Sequence, residues 1–157
     1  MVDKFKKYFS FLFFLVFAFG ASAWGGFVTS IYKEPWYSTL VKPSFNPPDY
    51  VFPSIWIFLY VSMAFAVWLI WINPKRNEKV IYIYFIHLLV NASWSVVFFA
   101  LHQIFLALVV IVIILLLVLW LIKLYYPINK FSAFIMIPYV FWLVFAFVLN
   151  LNIFLLN

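Results

Sequence analysis

The sequence predicts an all-α integral membrane protein, one domain over residues 1–157 built as a bundle of five transmembrane helices. Three observations carry that reading. Hydrophobic residues make up 69% of the chain and charged residues 9%. A soluble domain carries about 25% charged residues, so a small water-soluble core could not hide this apolar surface. The charges also leave four uncharged runs, residues 8–32, 50–74, 80–122 and 131–157, each long enough for the roughly 20 apolar residues that cross a bilayer. The single long connection, residues 32–51, is rich in proline and aromatic rings, which suits a folded loop and not another span.

The first span is expected at residues 8–31. Lys4, Lys6 and Lys7 ahead of an apolar run, with Ala21-Ser22-Ala23 resembling a cleavage site, also fit a signal peptide. Apolar character continues to Ile31, however, which is long enough to span and favours a retained helix. Within it Ser22, Gly26 and Ser30 form a small-residue face suited to close helix contact. The second span is expected at 52–72. The uncharged run 80–122 is too long for one crossing and divides at His102-Gln103, giving spans at 80–101 and 104–124. The last is expected at 131–153. Each should be helical, because unpaired backbone polar groups cannot stay in hydrocarbon. The β-branched run 109–114 would suggest a strand only in water.

Five spans put the termini on opposite sides. The N-terminal side collects Lys4, Lys6, Lys7, Lys75, Arg76, Lys79, Lys123 and Lys130, and the other side Lys33 and Lys42. The positive-inside rule then places the N-terminus in the cytoplasm, with the 32–51 loop and the C-terminus outside, in a plasma (inner) membrane. This distribution explains the net charge of +6 better than a nucleic-acid partner would, and the partner it implies is the lipid bilayer. The long loop holds Pro35, Pro43, Pro47 and Pro48 interleaved with Trp36, Tyr37, Phe45 and Tyr50. It reads as a semi-rigid lid over one end of the bundle, or as an interfacial loop whose rings sit among headgroups.

The acids Asp3, Glu34, Asp49 and Glu78 all lie at or near span ends or in loops. A charge at mid-span costs about 2.5–3.5 kcal/mol on insertion, and proton pumps and ion-coupled carriers use such residues; this chain has none there. Without cysteine, thiolate metal sites, iron–sulfur clusters and cysteine nucleophiles are excluded. His87 and His102 lack carboxylate partners at ligand spacing, so no metal site is expected. His102 falls in a turn and should be solvated; His87 should donate a hydrogen bond rather than ligate haem. No glycine-rich phosphate loop occurs. The spans do carry neutral polar and aromatic groups in helical register: Trp56, Tyr60 and Ala64; His87, Asn91 and Ser95 beside Trp94; Tyr139, Trp142, Ala146 and Asn150. Two readings stay open. Asn91 and Asn150 are interhelical hydrogen-bond glue, or Trp56, Tyr60, Asn91 and Trp142 line an aromatic cavity.

Residues 35–60 read P-W-Y-S-T-L-V-K-P-S-F-N-P-P-D-Y-V-F-P-S-I-W-I-F-L-Y, residues 91–102 N-A-S-W-S-V-V-F-F-A-L-H, and residues 138–150 P-Y-V-F-W-L-V-F-A-F-V-L-N. In order and spacing these resemble the signature of the translocator protein family, also called tryptophan-rich sensory proteins (TspO/MBR), over essentially the whole chain. The resemblance implies a five-helix bundle whose first loop folds over a ligand pocket. It implies a tetrapyrrole ligand, porphyrin or haem-type, and no required cofactor. The site it implies joins Trp36, Tyr37, Pro43, Phe45, Pro47 and Pro48 of the lid to Trp56, Tyr60, Asn91, Trp94, Trp142, Ala146 and Asn150 of the spans. Trp56 and Trp142 match the tryptophans implicated in porphyrin chemistry. The implied functions are a sensor or regulator of tetrapyrrole or stress response, a light-dependent porphyrin-degrading activity, or a passive carrier of tetrapyrroles or lipids; a homodimer is suggested. Two departures qualify the match. The segment V-L-N-L-N-I-F-L-L-N at 148–157 lacks the Tyr-then-Lys/Arg pattern tied to cholesterol in animal members, which disfavours a sterol. Val109 also stands where many relatives have Asp, which removes a polar contact from the fourth span.

Overall fold

The computed structural model describes residues 4–157, with side chains from Lys7 onward. Asp3 and the side chains of Lys4 and Lys6, read above as charges flanking the first span, lie outside the described residues. The chain runs α1 (Lys4–Tyr32), α2 (Trp36–Thr39), α3 (Val51–Trp71), α4 (Glu78–Ser95), a π-helical turn (Val96–Ala100), α5 (Ile104–Tyr125), α6 (Lys130–Ile135) and α7 (Ile137–Leu156), and no strand occurs among the described residues. Among the described residues, five stretches are long and apolar enough to cross a membrane: Lys7–Tyr32, Val51–Trp71, Glu78–Ala100, Ile104–Tyr125 and Lys130–Leu156. The protein is a multi-pass integral membrane protein.

Two spans begin earlier than hydropathy alone indicates, because asparagines cap them. The Asn77 side-chain oxygen accepts the Lys79 N–H at 3.0 Å, with Glu78 in the first turn of α4, where a negative charge suits the helix dipole. Asn129 likewise accepts the Ser132 N–H at 3.2 Å and starts α6.

Two spans also depart from the regular helices expected. At the end of α4 the Leu101 N–H bonds the Val96 carbonyl at 2.9 Å, a five-residue step that makes a π turn. The wider turn lets the consecutive rings of Phe98 and Phe99 both bury. His102 then turns the chain into α5 at a φ of 54°, a left-handed conformation for which histidine is among the enriched non-glycine residues. In the last span, Pro138 offers no N–H to the Phe134 carbonyl and its ring crowds that carbonyl. The helix accordingly breaks at Met136 into α6 and α7.

Burial is arranged for lipid as the solvent. Leu89, Phe141 and Leu155 are each more than two-thirds exposed, while the buried set includes His87, Asn91, Ser132 and Asn150. Apolar side chains gain little by hiding from lipid tails, so helix contact rests on close packing and interhelical hydrogen bonds. Ala18, Ala64 and Ala66 are fully buried and let the helices approach around Met63, Tyr84, Tyr125 and Tyr139. A second cluster, Tyr37, Phe98, Phe99, Ala107, Leu149 and Ile153, packs beneath the first loop.

That loop lies over the end of the bundle. Trp36 stacks on the His102 ring, centroids 4.3 Å apart, so His102 is not merely solvated as expected. Tyr37 is buried against Phe98 and Phe99. Phe45 meets Phe145 edge-on, and the Val41 backbone is hydrogen-bonded to the Asn157 side chain. These contacts make the loop a lid; Tyr50, three-quarters exposed, is its most outward-facing ring.

Candidate ligand cavity

Between the two buried clusters lies a cavity of about 620 Å³ to which all five spans contribute. Trp56 and Tyr60 come from α3, Asn91, Trp94 and Ser95 from α4, and Phe98 and Phe99 from the π turn. Ile111 and Ile114 come from α5, and Trp142, Ala146, Leu149 and Asn150 from α7. Of the site residues named from the sequence, Tyr37, Trp56, Tyr60, Asn91, Trp94, Trp142, Ala146 and Asn150 line this space. Helical register brings the seven on the spans to one interior.

Trp36, Pro43, Phe45, Pro47 and Pro48 are not among its lining residues. Trp36 is occupied by His102 and Phe98, Phe45 lies half-exposed against Phe145, and the prolines shape the loop. Trp36 and Phe45 hold the lid down without facing the cavity.

The first span behaves differently from expectation. Its small-residue face lines the cavity with Ser22, Gly25, Gly26, Thr29 and Ser30, where close contact with a neighbouring helix was expected. A Cβ at Gly26 would meet no atom within 4 Å, whereas one at Gly25 would lie 3.2 Å from the Ser95 hydroxyl. Gly26 leaves room, while Gly25 lets α1 approach Ser95 of α4 closely.

The mouth is charged, which sequence reasoning missed. Lys33, Glu34 and Asp49 all line it, and Lys33 forms an ion pair with Asp49 across the base of the loop. Topology already explained these charges, so nothing marked them as a site except that they bracket the lid at both ends. The Tyr37 ring lies beneath the ammonium groups of Lys33 and Lys42, 5.2 and 4.4 Å away. Burial raises the Tyr37 hydroxyl pKa above its ordinary value; the Asp49 and Glu34 carboxylates add to this and a bond to Asn46 opposes it.

Inside, the walls are rings. Trp56 and Trp142 meet edge-to-face with centroids 6.4 Å apart, and Trp94 stacks on Phe98 at 5.0 Å. One polar seam crosses them. Tyr60 donates to the Asn91 side-chain oxygen at 2.6 Å, and the Asn91 amide nitrogen donates to the Tyr139 hydroxyl at 2.5 Å. His87 Nε2 lies 3.0 Å from that same hydroxyl. The Tyr139 hydroxyl thus bonds both Asn91 and His87, and the imidazole tautomer sets which partner donates in the second bond. Asn150 donates to the Ile104 carbonyl at 3.0 Å and joins α7 to α5. Both asparagines therefore line the cavity and tie helices together.

The profile of the TspO/MBR family matches residues 12–156. The chain belongs to the TspO/MBR family. It is similar to the tryptophan-rich protein TspO of Archaeoglobus fulgidus, 34% identical over 134 residues, or 85% of this chain and 87% of that one. The TspO protein of Chlorobaculum tepidum is 33% identical over 126 residues, 78% and 79% of the two chains. The translocator protein of Sus scrofa is 32% identical over 119 residues, 73% and 70%.

The TspO/MBR match takes in every cavity residue, from Ser22 on α1 to Ile153 on α7. Val109, where an acid was noted as common among relatives, is partly exposed on α5. That helix offers the cavity only Ile111 and Ile114. Among the described residues no group of three His, Asp or Glu side chains could hold a metal ion.

Proposed function

We propose that this protein binds a flat, largely apolar macrocycle of the tetrapyrrole class beneath its first loop and acts as a membrane sensor or regulator for such compounds. The observation that carries this reading is the division of the cavity into an indole- and phenyl-walled interior and a charged mouth. A volume of about 620 Å³ falls within the roughly 300–1,000 Å³ of small-molecule sites. A macrocycle would lie against Trp56 and Trp142, with acidic substituents at the mouth near Lys33. A relative named tryptophan-rich sensory protein, from Cereibacter sphaeroides and 31% identical, supports the sensory role. The test is a titration of the protein in lipid nanodiscs with protoporphyrin IX and with haemin, followed by tryptophan fluorescence. Saturable quenching at one ligand per chain is expected; quenching that only tracks partition into lipid would overturn the reading.

A second reading has one specific observation in its favour. Trp56 and Trp142 place two adjoining indoles in the cavity wall, where they could donate electrons to a photoexcited macrocycle and promote its breakdown. Illumination of the loaded protein separates the two: stable bound porphyrin supports sensing alone, and light-dependent loss that requires Trp56 or Trp142 supports the photochemical activity.

A further inference from the structure

We propose that Tyr139 and His87 form a proton-coupled redox pair behind the cavity wall, which takes up the oxidising equivalent when an oxidant in the cavity removes an electron from Trp56. The oxidant is the photoexcited tetrapyrrole of the function proposed above, and for that identity alone the inference rests on that reading. The pair itself is given by geometry.

Trp56 lines the cavity, whereas Tyr139 and His87 are not among its lining residues. Both are buried, with 1% and 0% of their surface exposed. The Trp56 ring contacts two phenols, Tyr60 at 5.5 Å and Tyr139 at 6.1 Å between centroids. Either could refill a hole on the indole by electron transfer over so short a distance. Their hydrogen-bond acceptors decide between them. An oxidised phenol is a strong acid and gives up its proton as it forms. The electron therefore leaves readily only where a base within hydrogen-bond reach takes the proton. Tyr60 points its proton at the Asn91 amide oxygen, a very weak base. The Tyr139 hydroxyl lies 3.0 Å from His87 Nε2, and an imidazole nitrogen with a free lone pair is a far stronger base than an amide oxygen. Asn91 enforces the arrangement: the bond from Tyr60 orients its amide, whose nitrogen then occupies the other side of the Tyr139 oxygen.

The steps balance. One electron passes from Trp56 to the photoexcited ligand, leaving a reduced ligand and an indole radical cation. One electron then passes from Tyr139 to Trp56 and restores the indole. The Tyr139 O–H bond breaks and a new N–H bond forms at His87 Nε2, leaving a neutral tyrosyl radical beside an imidazolium. Return of the electron from the reduced ligand, and of the proton from His87, resets the pair with nothing consumed. The wall tryptophan is thereby spared and the radical is moved out of contact with the ligand.

The test loads nanodisc-embedded protein with protoporphyrin IX, verifies loading by fluorescence, illuminates it without oxygen and records the radical by electron paramagnetic resonance. A tyrosyl signal is expected in the wild type. It should be lost in Tyr139→Phe and in His87→Gln, where a tryptophan radical replaces it, and kept in Tyr60→Phe. A loaded wild type that yields only a tryptophan radical overturns the proposal, as does a tyrosyl signal that survives Tyr139→Phe or His87→Gln. Should His87→Gln fail to fold, the wild type in D₂O decides: radical formation slows if the proton moves with the electron, and an unchanged rate overturns the coupling. Failure of protoporphyrin to load would instead sink the proposed function. The same proteins are then oxidised by flash-quenched ruthenium tris(bipyridine), which needs no cavity binding. A tyrosyl signal that depends on Tyr139 and His87 supports the pair, and one independent of them overturns it.

Discussion

Asn157 clasps the backbone of Val41: its side-chain oxygen accepts the Val41 N–H and its side-chain nitrogen donates to the Val41 carbonyl, both at 3.0 Å. The two bonds join the lid to the end of α7. Ring contacts hold the lid elsewhere, but at Val41 these bonds are its attachment. Asn157→Ala should therefore loosen the lid locally, with faster amide hydrogen exchange around Val41 and little change in the spans. The expected cost is about 1 kcal/mol, since both bonds are exposed and compete with water. Unchanged exchange at Val41 would show that these two bonds do not hold the loop there.

Gly26 separates cavity volume from stability. Because a Cβ there meets nothing within 4 Å, Gly26→Ala should stabilise the protein by about 0.4–1 kcal/mol through helix propensity and a less flexible unfolded chain. Gly26→Phe should fold and weaken ligand binding, because Gly26 lines the cavity and a ring there can take up part of its space. Thermal midpoints together with a porphyrin titration check both outcomes.

Asn91 uses its amide oxygen on Tyr60 and its nitrogen on Tyr139. Asn91→Leu leaves two buried hydroxyls without that partner, so a loss of about 1–3 kcal/mol is expected, seen as a lower unfolding temperature in detergent. A midpoint equal to wild type would mean that the seam contributes nothing to the bundle.

Tyr37 gives the lid an alkaline limit. Burial, reinforced by Asp49, keeps its hydroxyl protonated above the ordinary phenol value. Between that value, about 10, and the raised one, the folded state binds more protons than the unfolded state, so stability falls as pH rises. Tyr37 contributes fully below about pH 10 and its contribution is lost through the raised pKa. Thermal midpoints above pH 10 should fall less steeply in Tyr37→Phe than in wild type; parallel profiles would contradict the assignment.

The five spans were legible because a bilayer leaves a simple record, with charges excluded from runs long enough to cross. The cavity positions on α3, α4 and α7 were legible because side chains three or four residues apart share a helix face, as Trp142, Ala146 and Asn150 do. What could not be read follows from physics without such a period. Loop side chains have no register, so nothing in the sequence separated Tyr37, which faces the cavity, from Trp36, which turns to His102. V-V-F-F-A reads as ordinary helix, and its π turn is set by tertiary packing. Gly25 and Gly26 look alike in sequence, yet the first packs against Ser95 and the second faces open space. Pro138 was a visible break signal inside the last span, and the interruption at Met136 is its consequence.

The most direct test of the ligand cavity is a protoporphyrin IX titration of folded Trp56→Ala and Trp142→Ala proteins beside the wild type. Both rings form the wall against which a macrocycle would lie. Each truncation should weaken binding by about 1–3 kcal/mol, the scale of one large aromatic contact, while the Phe variants lose less because they keep a ring. If both alanine proteins remain folded and bind protoporphyrin as tightly as wild type, the macrocycle does not occupy this cavity and the two tryptophans serve only to pack the bundle.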